Sequence, residues 1–146
     1  MIGNRTIHDI SVILGEESFP FPGDPPFSKE MLLSIKNGGP CDVSILSLSA
    51  HSGTHIDAPS HFITGGKTLT DYPAGSFILP ALVAAFFVKE SIQSADVQDI
   101  DIAPGEALLF KTDNSVSGRC KSGSFSENFV YLSPEAAAVC VEKKVG

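Results

Sequence analysis

The chain has few positive charges. Ten lysines and arginines stand against seventeen acids in 146 residues, and the ten are scattered. A phosphate-binding surface needs them clustered, so the composition argues against a nucleic-acid partner. The net charge of −7 favours solubility and says little else. Cysteine is scarce too. Cys41, Cys120 and Cys140 are odd in number and widely spaced, with no C-x-x-C. Neither a disulfide framework nor a zinc ribbon fits that pattern; free, buried thiols in a reducing cytoplasm do. Residues 1–10 lack the basic start and apolar run of a secretory signal. The longest apolar stretch, residues 77–88, is interrupted by Pro80 and is shorter than the roughly 20 residues a membrane span takes. No repeat or low-complexity run occurs. Length and ordinary apolar content predict one domain, residues 1–146, with a real core.

Histidine is also rare, with four in the chain, yet three fall within residues 51–61, which read H-S-G-T-H-I-D-A-P-S-H. His51, His55 and Asp57 offer two imidazoles and a carboxylate within seven residues. Such donors, without thiolate, suit a divalent ion such as Zn²⁺, Mn²⁺ or Fe²⁺ and leave positions open for water. His61 follows four residues after Asp57 and is placed to move protons near neutral pH. It could equally be a further ligand, or a partner that orients Asp57. The bland alternative is a polar turn whose histidines only cap backbone groups. Four such residues in one window favour the metal reading.

Around this window the pattern reads as an α/β domain with a mixed sheet. Residues 6–14 predict a first strand that includes a structural His8. Residues 15–26 are a stiff Pro-, Gly- and Phe-rich loop. Residues 27–36 suit an edge strand, and Asn37-Gly38-Gly39-Pro40 a turn. Core strands are expected near 43–50, 77–88 (buried on both faces) and 106–112. A short helix or turn fits 91–102, Pro104-Gly105 a turn, and 113–127 a Ser- and Gly-rich loop. A helix opens at Pro134 with Ser133 as its cap and Glu135 in its first turn, and a glycine closes its end.

In the strand leading into the window, Ser47 and Ser49 share one face, and the same parity reaches His51, His55, Asp57 and His61. Full extension cannot continue past Ala50. Residues 51 and 55 would then lie ~13 Å apart along a strand, whereas two nitrogens on one ion are at most ~4 Å apart. The backbone must coil sharply, and Gly53 permits it. Pro59 breaks any helix that would follow.

The window matches without exception the H-x-G-T-H-x-D-x-P-x-H signature and so resembles the cyclase / kynurenine formamidase family of metal-dependent amidohydrolases. Isatin hydrolases look like relatives. Phe21-Pro22-Gly23-Asp24-Pro25 is similar to the family's Pro-Gly-Asp segment. Residues 107–112 and Phe129-Val130-Tyr131-Leu132-Ser133 are similar to its later strands. The resemblance implies a swivelling β/β/α-type fold and a homo-oligomer, a dimer or tetramer. It implies a cytoplasmic enzyme of tryptophan degradation that hydrolyses a small-molecule amide, N-formylkynurenine first among them. Family members run some tens of residues further, through a V-G-[ILV]-D segment and a later histidine and glutamate that complete the metal centre. The chain stops at Val145-Gly146, so truncation is expected.

In the expected chemistry the ion lowers the pKa of its water toward ~7 and stabilises the developing oxyanion, while His61 passes the proton to the leaving amine. Phe19, Phe21 and Asp24 are candidate substrate contacts, the two phenylalanines as walls of an aromatic pocket or as packing of a structural loop. Thr54 is a candidate substrate or oxyanion contact that could equally satisfy a turn. Two other classes stay open. His55-Ile56-Asp57 also begins an Fe(II) oxygenase triad, although such sites commonly take their second histidine from a distant strand and none exists after His61. The remaining class is an inactive metal-binding or scaffold relative.

Overall fold

The structure, a computed structural model, describes residues 8–87, 90–119, 122 and 124–146. Thr6, Ile7, Val88, Cys120, Lys121 and Gly123 of the expected elements lie outside the described residues. The chain is α/β and divides into two compact units. One comprises Met1–Ile56 and Cys120–Phe125; the other comprises Asp57–Arg119 and Ser126–Gly146.

In the first unit, β1 (Ser28–Leu33) pairs antiparallel with β2 (Val43–Ser47), Ser28 opposite Ser47 and Leu33 opposite Val43. A 3₁₀ turn at Ile35–Asn37 reverses the chain, and Gly38 leaves it at φ 83°. Every residue of both strands is exposed. A two-stranded ribbon offers two faces and covers neither. The expected core strand at 43–50 is therefore shorter than read and lies outside the core. Residues 8–13 form no strand, and His8 is exposed. They run as irregular chain whose polar groups are met by side chains, as when Ser11 N–H donates to Asp9 Oδ1 at 2.9 Å.

The second unit holds the core. Here β3 (Ala81–Ala85) pairs parallel with β5 (Ala107–Lys111), and β4 (Ser91–Ile92) pairs parallel with β6 (Tyr131–Leu132). The expected mixed sheet appears, among the described residues, as three two-stranded sheets. The apolar run at 77–88 splits. Ala74–Phe77 is a 3₁₀ turn, and only Ala81–Ala85 is strand. That strand is not buried on both faces: Val83 is 59% exposed. With β5 as its one strand neighbour among the described residues, its apolar side chains are only partly covered.

Burial concentrates where helix α1 (Ser94–Gln98) meets helix α3 (Pro134–Glu142). Val97 and Ala136 are fully buried, with Ile92 and Val139 beside them. Phe86, Leu108, Phe110, Val130 and Leu132 pack around this centre. A one-turn helix, α2 (Asp113–Val116), sits in the expected loop after β5. Asn114 uses its side-chain amide as a strand edge would. Nδ2 donates to Val130 O, and Oδ1 accepts from Val130 N–H, both at 2.8 Å.

Ser133 acts as read: its Oγ accepts from Ala136 N–H at 3.1 Å, and Pro134 takes the first helical position. Its own N–H donates to Ile92 O at 3.0 Å, which ties the core strand to the cap. The left-handed residue after α3 is Lys144 (φ 56°) and not a glycine. Gly146 N–H instead donates to Glu106 O at 2.9 Å. Cys41 is exposed and Cys140 half-buried, so Cys41 is not the buried thiol expected. It lies in the connection between the two strands of the uncovered ribbon. Among the described residues, no helix is long and apolar enough to cross a membrane.

Two outcomes follow from these local bonds. Ser133→Ala removes a buried cap and should cost about 1–2 kcal/mol, read as a lowered urea midpoint with unchanged slope. Asp71 closes a capping box on the 3₁₀ turn at Leu69–Asp71. Its carboxyl is held below the usual range by the Thr68 backbone N–H first and the Thr68 hydroxyl second, with a smaller contribution from the charge of Lys67. A depressed folded-state value means the contribution is present above the ordinary aspartate pKa of ~3.9 and is lost as pH falls through the folded-state value. Asp71→Asn should therefore be less stable than wild type near neutrality. The two should converge in acid, as followed by urea midpoints across pH.

Candidate metal centre

The loop from His51 to His61 begins four residues after β2 ends. Its entry is fixed by side chains. Ser49 Oγ–H donates to Asp24 Oδ2 at 2.7 Å, and His51 N–H donates to the same Ser49 Oγ at 3.2 Å. Ser52 N–H then closes a turn onto Ser49 O. Gly53 adopts φ +68°, and a Cβ there would stand 2.7 Å from Leu14 Cδ2. The backbone conformation demands glycine, and the end of the Leu14 side chain would have to shift for a Cβ. Thr54 Oγ1 accepts from Val12 N–H at 3.1 Å. Its hydroxyl thus satisfies the protein's own backbone.

The coil at Gly53 brings the two imidazoles together. His51 Nδ1 lies 3.3 Å from His55 Nε2, and the rings meet edge to face at 5.2 Å. His55 Nδ1 is 2.9 Å from Gly53 O. A carbonyl only accepts, so Nδ1 carries the proton and Nε2 keeps its lone pair facing His51. Two nitrogens bound at ~2.1 Å to one tetrahedral ion sit about 3.4 Å apart. The observed separation fits that edge.

Beyond Asp57 the loop turns again. Pro59–His61 is a 3₁₀ turn with Pro59 at its first position, so the proline starts the turn, where the sequence suggested only a break. His61 N–H donates to Ala58 O at 2.9 Å. His51 and His55, which the coil brings together, belong to the first unit; Asp57 and His61 belong to the second. His51 is half-buried; His55, Asp57 and His61 are exposed, which leaves room for water. The two imidazoles of the first unit are spaced as two ligands of one divalent ion would be.

Phe19 and Phe21 do not stand as a bare wall. Both pack edge-on against Phe125, at 6.4 and 5.1 Å. Sequence reasoning passed over Phe125; a lone phenylalanine in a Ser- and Gly-rich loop was its only signal. Asp24, read as a substrate contact, spends one oxygen on Ser49. A separate cavity of about 330 Å³, bounded by Glu90, Asp113, Arg119, Phe129 and Tyr131, contains no residue of the loop.

The family profile described as putative cyclase matches residues 8–146. The chain belongs to that family. Proteins named kynurenine formamidase from Bacillus mycoides and Bacillus anthracis are 34% and 33% identical over 137 residues. These matches cover 94% of this cyclase-family chain and 64% of each relative, so the chain spans a little under two thirds of their length. Two solved structures share the fold at 26% identity and cover 94% of the chain. One, described as a potential metal-dependent hydrolase with cyclase activity, has a TM-score of 0.74 with 63% of its own chain covered. The other, a predicted metal-dependent hydrolase from Bacillus stearothermophilus, has a TM-score of 0.72 with 64% covered.

Gly53→Ala puts this geometry to the test. The left-handed backbone alone costs about 1–2 kcal/mol with a Cβ, and Leu14 must also move. A melting temperature several degrees lower, with loss of Co²⁺ uptake in the folded variant, is the expected result of calorimetry and metal titration.

Proposed function

We propose that this chain carries the metal-binding and catalytic residues of a metal-dependent amidohydrolase acting on an aryl formamide of the N-formylkynurenine class. The observation that carries the reading is the 3.3 Å approach of His51 Nδ1 and His55 Nε2. The names of the relatives and solved neighbours support it. His51, His55 and Asp57 hold the ion, Zn²⁺ or Mn²⁺ first and Fe²⁺ next. When bound, such an ion polarises a carbonyl and makes water acidic enough to attack at neutral pH.

The chain's own part is positioning and proton transfer. A ring nitrogen of His61 takes a proton as water oxygen bonds to the formyl carbon. The same proton goes to the departing nitrogen as the carbon–nitrogen bond breaks, leaving formate and an aryl amine. Phe19 and Phe21, backed by Phe125, offer the aryl group a wall, with Phe21 60% exposed. The proposal extends to a swivelling β/β/α-type single domain, residues 1–146, in a homo-oligomer. TM-scores above 0.7 support the fold.

The deciding experiment measures metal per chain and formate release together. His61→Ala should keep about one metal per chain and lose roughly 10²–10⁴-fold in rate. Loss of metal would make His61 a ligand instead. An unchanged rate would sink the proton-transfer role, and a wild-type chain that hydrolyses no formamide in the presence of Zn²⁺ or Mn²⁺ would sink the hydrolase.

A further inference from the structure

Asp24 comes from the Pro-Gly-Asp loop, 27 positions before His51, yet the two are joined through one atom. Ser49 Oγ donates its proton to Asp24 Oδ2 at 2.7 Å. The same oxygen accepts from His51 N–H at 3.2 Å. A hydroxyl has one proton to give. Committing it to the carboxylate points the hydroxyl's lone pairs elsewhere, and His51 N–H takes one. All three groups are part-buried and belong to the first unit. We infer that Asp24 is a positioning residue, which holds the metal loop at its first ligand by orienting Ser49 Oγ, and is not primarily a substrate contact. The inference rests on the metal reading above and deepens it.

The arrangement has a mechanical reason. The pairing of β1 with β2 ends at Ser47, so that ladder does not reach residues 48–51. His51 N–H donates to Ser49 Oγ, and the direction of its ring is set by the backbone that carries it. A loop held only at Gly53 and Thr54 would be anchored on one side of His51. The Asp24–Ser49 pair supplies the other side. Phe21, three positions before Asp24, packs on Phe125 at 5.1 Å and steadies the loop from which Asp24 projects.

The test uses the full chain and two readouts. The first is hydrogen exchange at the His51 amide without metal, measured by NMR. Asp24→Ala and Ser49→Ala should each speed it about three- to tenfold, the value of one hydrogen bond. The double variant should exceed neither single, because the two act in series. Ser49→Thr and Asp24→Asn keep an oxygen in place and should restore slow exchange. The second readout is Co²⁺ affinity, expected to fall roughly 10- to 100-fold in the alanine variants. Unchanged exchange in Asp24→Ala, or singles that multiply in the double, overturns the inference. If Asp24→Ala fails to fold, Ser49→Ala against Ser49→Thr decides the same point. A wild-type chain that takes up no Co²⁺ overturns the metal reading instead, and the His51 amide then decides the Asp24 tie separately.

Discussion

One backbone carbonyl organises the centre. Gly53, turned to φ +68°, aims its oxygen at His55 Nδ1 from 2.9 Å. That contact settles which nitrogen of His55 carries the proton, and so which one faces His51 at 3.3 Å. Were residues 51–55 extended, the same two side chains would stand too far apart to share anything. The donor set therefore depends on a left-handed residue that only glycine adopts cheaply. The space beside it is already taken by Leu14.

The rest of the first unit serves this loop more than it serves a core. Its ribbon is exposed on both strands. Its side-chain bonds of longest sequence range among the described residues meet at the loop instead, with Val12 on Thr54 and Asp24 through Ser49 on His51. Each is a modest bond, but together they bracket Gly53 on both sides. In the second unit the priorities reverse. Val97 and Ala136 are wholly buried between two helices, and Ser133 joins strand, cap and helix in one residue. There the second part of the loop is shaped by Pro59, whose fixed φ suits the first position of the 3₁₀ turn that carries His61.

What could be read before the fold was known divides along the same line. The need to coil at Gly53 followed from distance alone, because two donors on one ion cannot be 13 Å apart. The cap at Ser133, the turn at Asn37–Gly38 and the strand at 107–111 followed from local chemistry. The misreadings share another cause. The apolar run at 77–88 and the alternation at 43–50 look like buried strands, but burial is decided by neighbours that periodicity does not reveal. Residues 6–14 had strand composition, and residues 8–13 of that stretch form no strand.

Residue order by itself therefore determined the chemistry on offer. Two imidazoles, a carboxylate and a third histidine lie within eleven residues, with a glycine and a proline where the backbone must turn, and the family signature is written in the same letters. Only the tertiary structure decided how those groups are used. It turned His55 Nε2 toward His51 and Asp24 toward Ser49. It folded Phe125 against the Pro-Gly loop from more than a hundred positions away. The physical reason is range. Backbone conformation and capping are settled by neighbours in the chain, whereas the partner of a carboxylate or a ring is settled by whatever folding brings to hydrogen-bond or van der Waals distance.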